Sequence, residues 1–223
     1  MKSPNFGDRR DGLKPELVVL HYTAMKSCVS AAKALCDPAR EVSAHYLIGR
    51  DGEVLSLVDE PMRAWHAGAG EWRGAGDVNS RSIGIELDND GVSPFSEPLM
   101  VSLERLLGQG LLAAWGIRPE GVIGHSDMAP GRKIDPGRRF DWRRLARQGL
   151  SVWSEADGDR VDVEAFREDA AAFGYPSVED DLLLEVVRMR FRPWKYGPLD
   201  GEDCAVMADL AKRYGVDRTD AAP

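Results

Sequence analysis

The sequence predicts an α/β domain with a central mixed β-sheet flanked by helices, followed by a small three-helix unit. Three observations carry this reading. Apolar runs of strand length are mixed with stretches of helical periodicity, at spacings too irregular for a doubly wound repeat. The Asp51-Gly52 pair splits two β-type runs, a hairpin signal. The charge changes character near residue 150. Of the chain's 29 basic and 37 acidic residues, 9 and 17 fall in 151–223, so that part carries the whole net charge of −8.

The elements follow in order. Residues 16–23 (ELVVLHYT) form an apolar run and read as a buried strand. Residues 28–36, with Val29, Ala32, Ala34 and Leu35, read as a short helix. His45–Arg50 and Glu53–Val58 are the hairpin strands. Residues 67–81 are glycine-rich and polar, hence a loop. Residues 82–87 (SIGIEL) form another strand. Ser96 is a cap candidate for a helix over 96–115, where Leu99, Leu103, Leu106, Leu107, Leu111 and Leu112 recur at helical spacing. Val122-Ile123 is a short strand, 126–139 a Pro/Gly-rich loop and 141–148 a helix. Residues 1–150 therefore form one domain and 150–160 a linker. Segments 161–173, 178–191 and 202–214 are amphipathic, and make 161–223 the three-helix unit.

With 43% hydrophobic and 30% charged residues, the chain has the balance of a globular protein. No apolar stretch approaches the ~20 residues of a membrane span. The N-terminal stretch lacks the apolar core of a leader, so a cytoplasmic location is expected, or a periplasmic one if the true start lies upstream or export is non-standard. The acidic balance speaks against nucleic acid as a partner. Cys28, Cys36 and Cys204 make no disulfide framework and read as reduced thiols. A monomer is expected.

The candidate site rests on residues that end apolar runs. His21 closes Leu17–Leu20, His125 follows Val122-Ile123-Gly124, and Asp135 comes ten residues later in GHSDMAPGRKIDPG. Two imidazoles and a carboxylate are an open tetrahedral zinc set, with the fourth position left for water. Glu86 lies on a third run. Taken singly, a strand-end histidine is more often structural, and Asp135-Pro136-Gly137 is a plain turn. Spacing does not decide between these readings, because ligands meet in space.

Four segments decide it: VVLHYTA (18–24), SAHYLIGRDGEVLSLVDE (43–60) with RAWHAG (63–68), NSRSIGIELDN (79–89) and GHSDMAPGRKIDPG (124–137). Together they resemble the zinc N-acetylmuramoyl-L-alanine amidases of type 2, the AmpD-like group, over roughly residues 15–148. The resemblance implies that His21, His125 and Asp135 hold Zn²⁺. It implies that Glu86 is the general base and that Lys133 stabilises the oxyanion. The bond hydrolysed would join the lactyl group of N-acetylmuramic acid, or its 1,6-anhydro form, to L-alanine. Phage-type relatives carry a tyrosine where Ala44 stands here, which leaves the base role to Glu86; Asp135 replaces the cysteine ligand of other branches. Trp65, His66, Asn79 and Arg132 are expected substrate contacts, with His66 alternatively orienting a ligand, and His45 is expected in the core.

Phe173–Pro176, Val187–Pro193, Gly201 and Asp203 resemble the three-helix peptidoglycan-binding module. The expected partners are therefore muropeptides or the sacculus. Removal of 151–223 is expected to spare hydrolysis of small muropeptides. The alternative to an enzyme is a silent peptidoglycan sensor on the same fold; such relatives lose a zinc ligand, whereas the full set stands here.

Overall fold

A computed structural model of the chain describes residues 1–216; the last part of the expected three-helix unit, 217–223, lies outside the described residues. The elements are β1 (Phe6–Gly7), β2 (Leu17–Tyr22), α1 (Cys28–Leu35), β3 (Tyr46–Ile48), β4 (Val54–Ser56), β5 (Arg63–Ala64), α2 (Val78–Arg81), β6 (Ser82–Leu87), α3 (Glu97–Leu106), α4 (Leu112–Trp115), β7 (Val122–Gly124), α5 (His125–Met128), α6 (Trp142–Arg147), α7 (Val163–Phe173), α8 (Asp180–Phe191) and α9 (Gly201–Tyr214). Strands β4, β3, β6, β2 and β7 lie side by side in that order. β3 and β4 pair antiparallel and the other neighbours pair parallel, so the sheet is mixed, as predicted. β1 and β5 form a separate two-stranded ribbon too short to leave a sequence signal.

Strand alternation assigns the two faces. Val18 and Leu20 of β2 and Ile83, Ile85 and Leu87 of β6 point one way, into a cluster with Leu99, Met100 and Leu103 of α3. Leu17, Val19 and Ile123 point the other way, into a cluster with Trp72 and the C-terminal helices. Each such side chain contributes roughly 1.5–3 kcal/mol on burial. β6 shows the division most clearly. Its Ile-Ile-Leu set is apolar, whereas Ser82, Gly84 and Glu86 fall on the second face, where polar chemistry can be held.

The helices match their expected places with local differences. Ser27 starts α1 through a capping box with Ser30. Val29 is exposed, and Ala31, Ala32 and Leu35 make the buried face. The chain stays helical from Glu97 to Trp115, but Leu107–Leu111, which contains Gly108 and Gly110, forms a wider turn. Ser96 stands at the cap position without capping; its hydroxyl donates to the Arg50 carbonyl at 2.6 Å. The 67–81 and 126–139 loops each contain a short helix absent from the sequence reading, α2 and α5.

The C-terminal helices form where predicted, but they do not hang on a free linker. Ser151, Val152 and Ser154 are buried. Trp72, from the glycine-rich loop, is fully buried among these helices, edge-on to Phe173 at 5.7 Å and to Tyr175 at 5.2 Å. Its cluster runs without a break from Leu17 and Val19 to Leu183, Val187, Phe191 and Leu210. An ion pair crosses the same junction. Arg190 Nη1 and Asp127 Oδ2 lie 2.7 Å apart, each side chain 1% exposed. Asp127 also accepts the Gly124 N–H at 2.7 Å and the Tyr175 hydroxyl at 3.0 Å, while Arg190 Nη2 donates to the Val122 carbonyl at 3.0 Å. A charge pair taken out of water needs this degree of hydrogen bonding to survive. Within the helical unit, Arg188 and Arg192 converge on the fully buried Asp203. Among the described residues, no helix is long and apolar enough to cross a membrane.

Candidate active site

The site is assembled by sheet register. His21 of β2 lies opposite Glu86 of β6. On the other side of β2, Leu20 lies opposite Gly124, so His125 leaves β7 beside His21. Glu86, His21 and His125 therefore form one row across the carboxyl ends of three parallel strands, the rim where α/β sheets hold ligands. The face is the polar one of β6. The loop after α5 then turns back, and the Ser126 N–H donates to the Asp135 carbonyl at 2.9 Å. This brings the Asp135 carboxylate to the row, as the sequence reading required.

His21 Nδ1, His125 Nδ1 and Asp135 Oδ2 form a triangle with edges of 2.9–3.0 Å. The rear hydrogen bonds fix the tautomers. His125 Nε2 faces the Ala67 carbonyl at 2.8 Å and must carry the proton. The Ser82 hydroxyl donates to the Val78 carbonyl, so His66 Nε2 donates to Ser82 at 3.1 Å. His66 Nδ1 is then an acceptor, and His21 Nε2–H donates to it at 3.0 Å. Both Nδ1 atoms thus aim lone pairs at each other and at a carboxylate oxygen. Three acceptors at this separation repel unless a cation lies between them. Tetrahedral ligands ~2.0–2.1 Å from a zinc ion are roughly 3.3 Å apart, so the triangle fits a small cation after minor spreading. Burial, and then the neighbouring His125, push His21 down to about 4, so it stays neutral and keeps its lone pair.

The cluster opens into a cavity of about 550 Å³ lined by Glu86, Lys133, Trp65, His66 and Arg132 as well as the three cluster residues. Glu86 Oε2 is buried and has no hydrogen-bond partner. Burial first, and then the charge of Asp135, push its carboxyl up to about 8, with Lys133 opposing. An unpartnered, destabilised carboxylate beside a cation site is poised to accept a proton.

The expected substrate contacts divide. Trp65 and Arg132 line the cavity. Arg132 Nη2 also donates to the Ala67 carbonyl at 2.6 Å, so the guanidinium is held at the rim. His66 lines the cavity and its Nδ1 accepts the His21 Nε2–H, a position from which it can orient that ring. Its ring lies so close to β6 that a Cβ at position 84 would meet it at 2.3 Å, which accounts for Gly84. Asn79 does not join them: it is buried outside the cavity lining, and its Oδ1 accepts the N–H groups of His66 and Ala67 at 3.0 and 2.9 Å. It braces the loop that carries His66 and the Ala67 carbonyl. Asn79→Ala should leave metal stoichiometry intact and lower metal affinity about 10–100-fold, read by competition with a chelator. Unchanged affinity would mean the loop holds without it. His45 is fully buried, donating to the Met62 carbonyl and accepting the Gly84 N–H, a core residue as expected.

Ser82 and the Ala67 carbonyl join the site only in the fold. The Ser-x-Gly-x-Glu alternation of β6 is an available signal for the first. A backbone carbonyl leaves none.

Fold and site define the class, an α/β domain whose strand ends present a His-His-Asp cluster able to hold a metal ion. A family model described as N-acetylmuramoyl-L-alanine amidase matches residues 11–138. The chain belongs to the N-acetylmuramoyl-L-alanine amidase family. It is 35% identical to the N-acetylmuramoyl-L-alanine amidase AmiD of Escherichia coli, over 91% of this chain and 84% of that protein. The E. coli 1,6-anhydro-N-acetylmuramyl-L-alanine amidase AmpD is 40% identical over 64% of this chain and 87% of its own. The solved complex of AmiD with anhydro-N-acetylmuramic acid-L-Ala-D-gamma-Glu-L-Lys superposes with a TM-score of 0.83 at 33% identity, covering 93% of each chain.

Proposed function

We propose that the chain hydrolyses the amide between the lactyl group of N-acetylmuramic acid, or its 1,6-anhydro form, and L-alanine, with zinc held by His21, His125 and Asp135. The observation that carries this is the set of three facing acceptors, two of them imidazole lone pairs fixed by their own rear hydrogen bonds. Two nitrogens and one oxygen, with space left in the cavity, suit zinc in an open site. The named substrate of the AmiD complex supports the muropeptide reading.

Zinc held there would supply a Lewis acid for the scissile carbonyl and would lower the pKa of a water. Glu86 takes the water proton and passes it to the leaving amine of L-alanine. The Lys133 ammonium, on the cavity wall, stabilises negative charge on the tetrahedral oxygen. Trp65 and Arg132 at the rim orient the sugar and a stem-peptide carboxylate.

Metal analysis together with mass spectrometry of a muropeptide digest tests the reading. One zinc per chain and chelator-sensitive release of stem peptide with its L-alanine intact are expected. Sugar that retains L-alanine would identify a peptidase, and bound muropeptide without cleavage a sensor. Lys133→Ala should lower kcat about 10²-fold with little change in KM, because the charge it meets arises in the transition state. An equal rise in KM would reassign Lys133 to substrate binding.

A further inference from the structure

A second cavity, of about 640 Å³, opens beside the first. Tyr22 and Ile134 line both, so the two adjoin. Its floor is the 134–139 segment and the Gly91-Val92 turn; its far wall is α8 with residues 193–196. Both parts of the chain are needed to make it, and the amidase reading uses none of its far wall.

The lining exposes apolar surface that the fold has no packing reason to expose. Trp194 is 64% exposed, Tyr196 70% and Ile134 59%. The segment that carries the rings is fixed nonetheless. Arg138 Nη1 donates to the carbonyls of Pro193 and Lys195 at 3.2 and 3.4 Å, and its guanidinium sits 4.7 Å from the centre of the Tyr196 ring. Rings held in place and left in water form a ready contact surface, since little ordering remains to be done on binding.

We propose that this groove holds the glycan strand that continues from the cleaved muropeptide, an inference that rests on the amidase reading. The scissile bond joins a sugar to a peptide, so a polymeric substrate leaves the first cavity in two directions, and a single side groove takes one of them. The chemistry favours the sugar. Aromatic faces suit the apolar faces of pyranose rings, and Arg139 and Glu185 at the rim offer donors and acceptors to hydroxyl groups. A stem peptide is anionic and calls for unopposed cations, whereas Glu185 opposes Arg138 and Arg139 here.

The test is Trp194→Ala with Tyr196→Ala in the full chain, both positions being exposed and outside the core. Three substrates are compared: a single anhydro-muropeptide, an uncross-linked glycan strand of several disaccharides bearing stem peptides, and a peptide-cross-linked dimer of single muropeptides. Expected is a KM about 10-fold higher on the strand at unchanged kcat, with the other two substrates unaffected. A KM effect confined to the cross-linked dimer would overturn the proposal in favour of peptide. Equal kinetics of variant and wild type on the strand, or equal loss on all three, would overturn it outright. Failure of the wild type to cleave any of them would instead sink the amidase reading. The groove is then still tested by calorimetric binding of the strand to Glu86→Gln protein with and without the two substitutions; equal affinities would overturn it.

Discussion

Glu86→Gln is expected to lower kcat by about 10²–10⁴-fold and to leave the metal in place. The amide is isosteric but accepts no proton, and the three facing acceptors are untouched. The same variant should stabilise the metal-free protein in a pH-dependent way. The Glu86 carboxyl rises from 4.5 to about 8 on folding, chiefly through burial. Between those values the folded chain binds the extra proton, so this group's contribution is fully present below about 4.5 and is lost as pH rises through about 8. Glutamine stays neutral throughout. Metal-free Glu86→Gln should therefore nearly match the wild type near pH 5 and exceed it at pH 9 by roughly 1–3 kcal/mol, allowing for solvent in the cleft. Thermal melts at the two pH values measure the difference. A variant that melts with the wild type at both would show that Glu86 is hydrated and ordinary, and a variant with full turnover would remove it from the base role.

Cutting the chain after residue 150 is expected to abolish folding rather than to release a working catalytic domain. By composition residues 161–223 look separable; their packing argues otherwise. Truncation strips Phe173, Leu183, Val187 and Phe191 from Trp72, Leu17 and Val19, leaving a broad apolar face in water. It also leaves Asp127 as a buried charge without Arg190. Arg190→Ala isolates that second effect and should cost about 3–5 kcal/mol, since a buried charge loses its partner. Asp127→Asn combined with Arg190→Met should recover much of this loss, because no charge is then stranded. Denaturant melts of the three proteins decide the matter. A truncated chain that melts cooperatively near the full-length midpoint, or an Arg190→Ala loss below about 1 kcal/mol, would restore the separable unit.

The catalytic half is legible in sequence because its signals are local or recurrent. The apolar runs at β2 and β6, the Asp-Gly hairpin and the leucine spacing of 97–115 each depend on neighbours a few residues away. The cluster residues are legible through the combined motif segments, and strand-end position already points to one rim. What escapes depends on approach in space. Asn79 looks like a substrate amide in sequence, yet it spends its oxygen on two backbone N–H groups. Ser151, Val152 and Ser154 read as linker by composition, but the surface that buries them comes from distant elements. Arg190 is equally silent, because a helical arginine is ordinarily solvated. The one hint is that it continues the Leu183, Val186 and Val187 stripe of α8 at helical spacing.

The row of Glu86, His21 and His125 makes the geometry of the centre independent of the length of chain between its members. Each residue is placed by its strand partner, and the intervening segments only have to return. Lengthening such a return costs little, on the order of 0.6 kcal/mol per doubling of a flexible loop. Insertions in the turn at 90–94 should therefore be borne with the centre intact. One residue added inside β2 ahead of His21 has the opposite effect, since a slip of one position turns the imidazole to the leucine-and-isoleucine side of the sheet. Tolerance to changes of length along this chain is thus set by pairing, not by distance from the metal cluster.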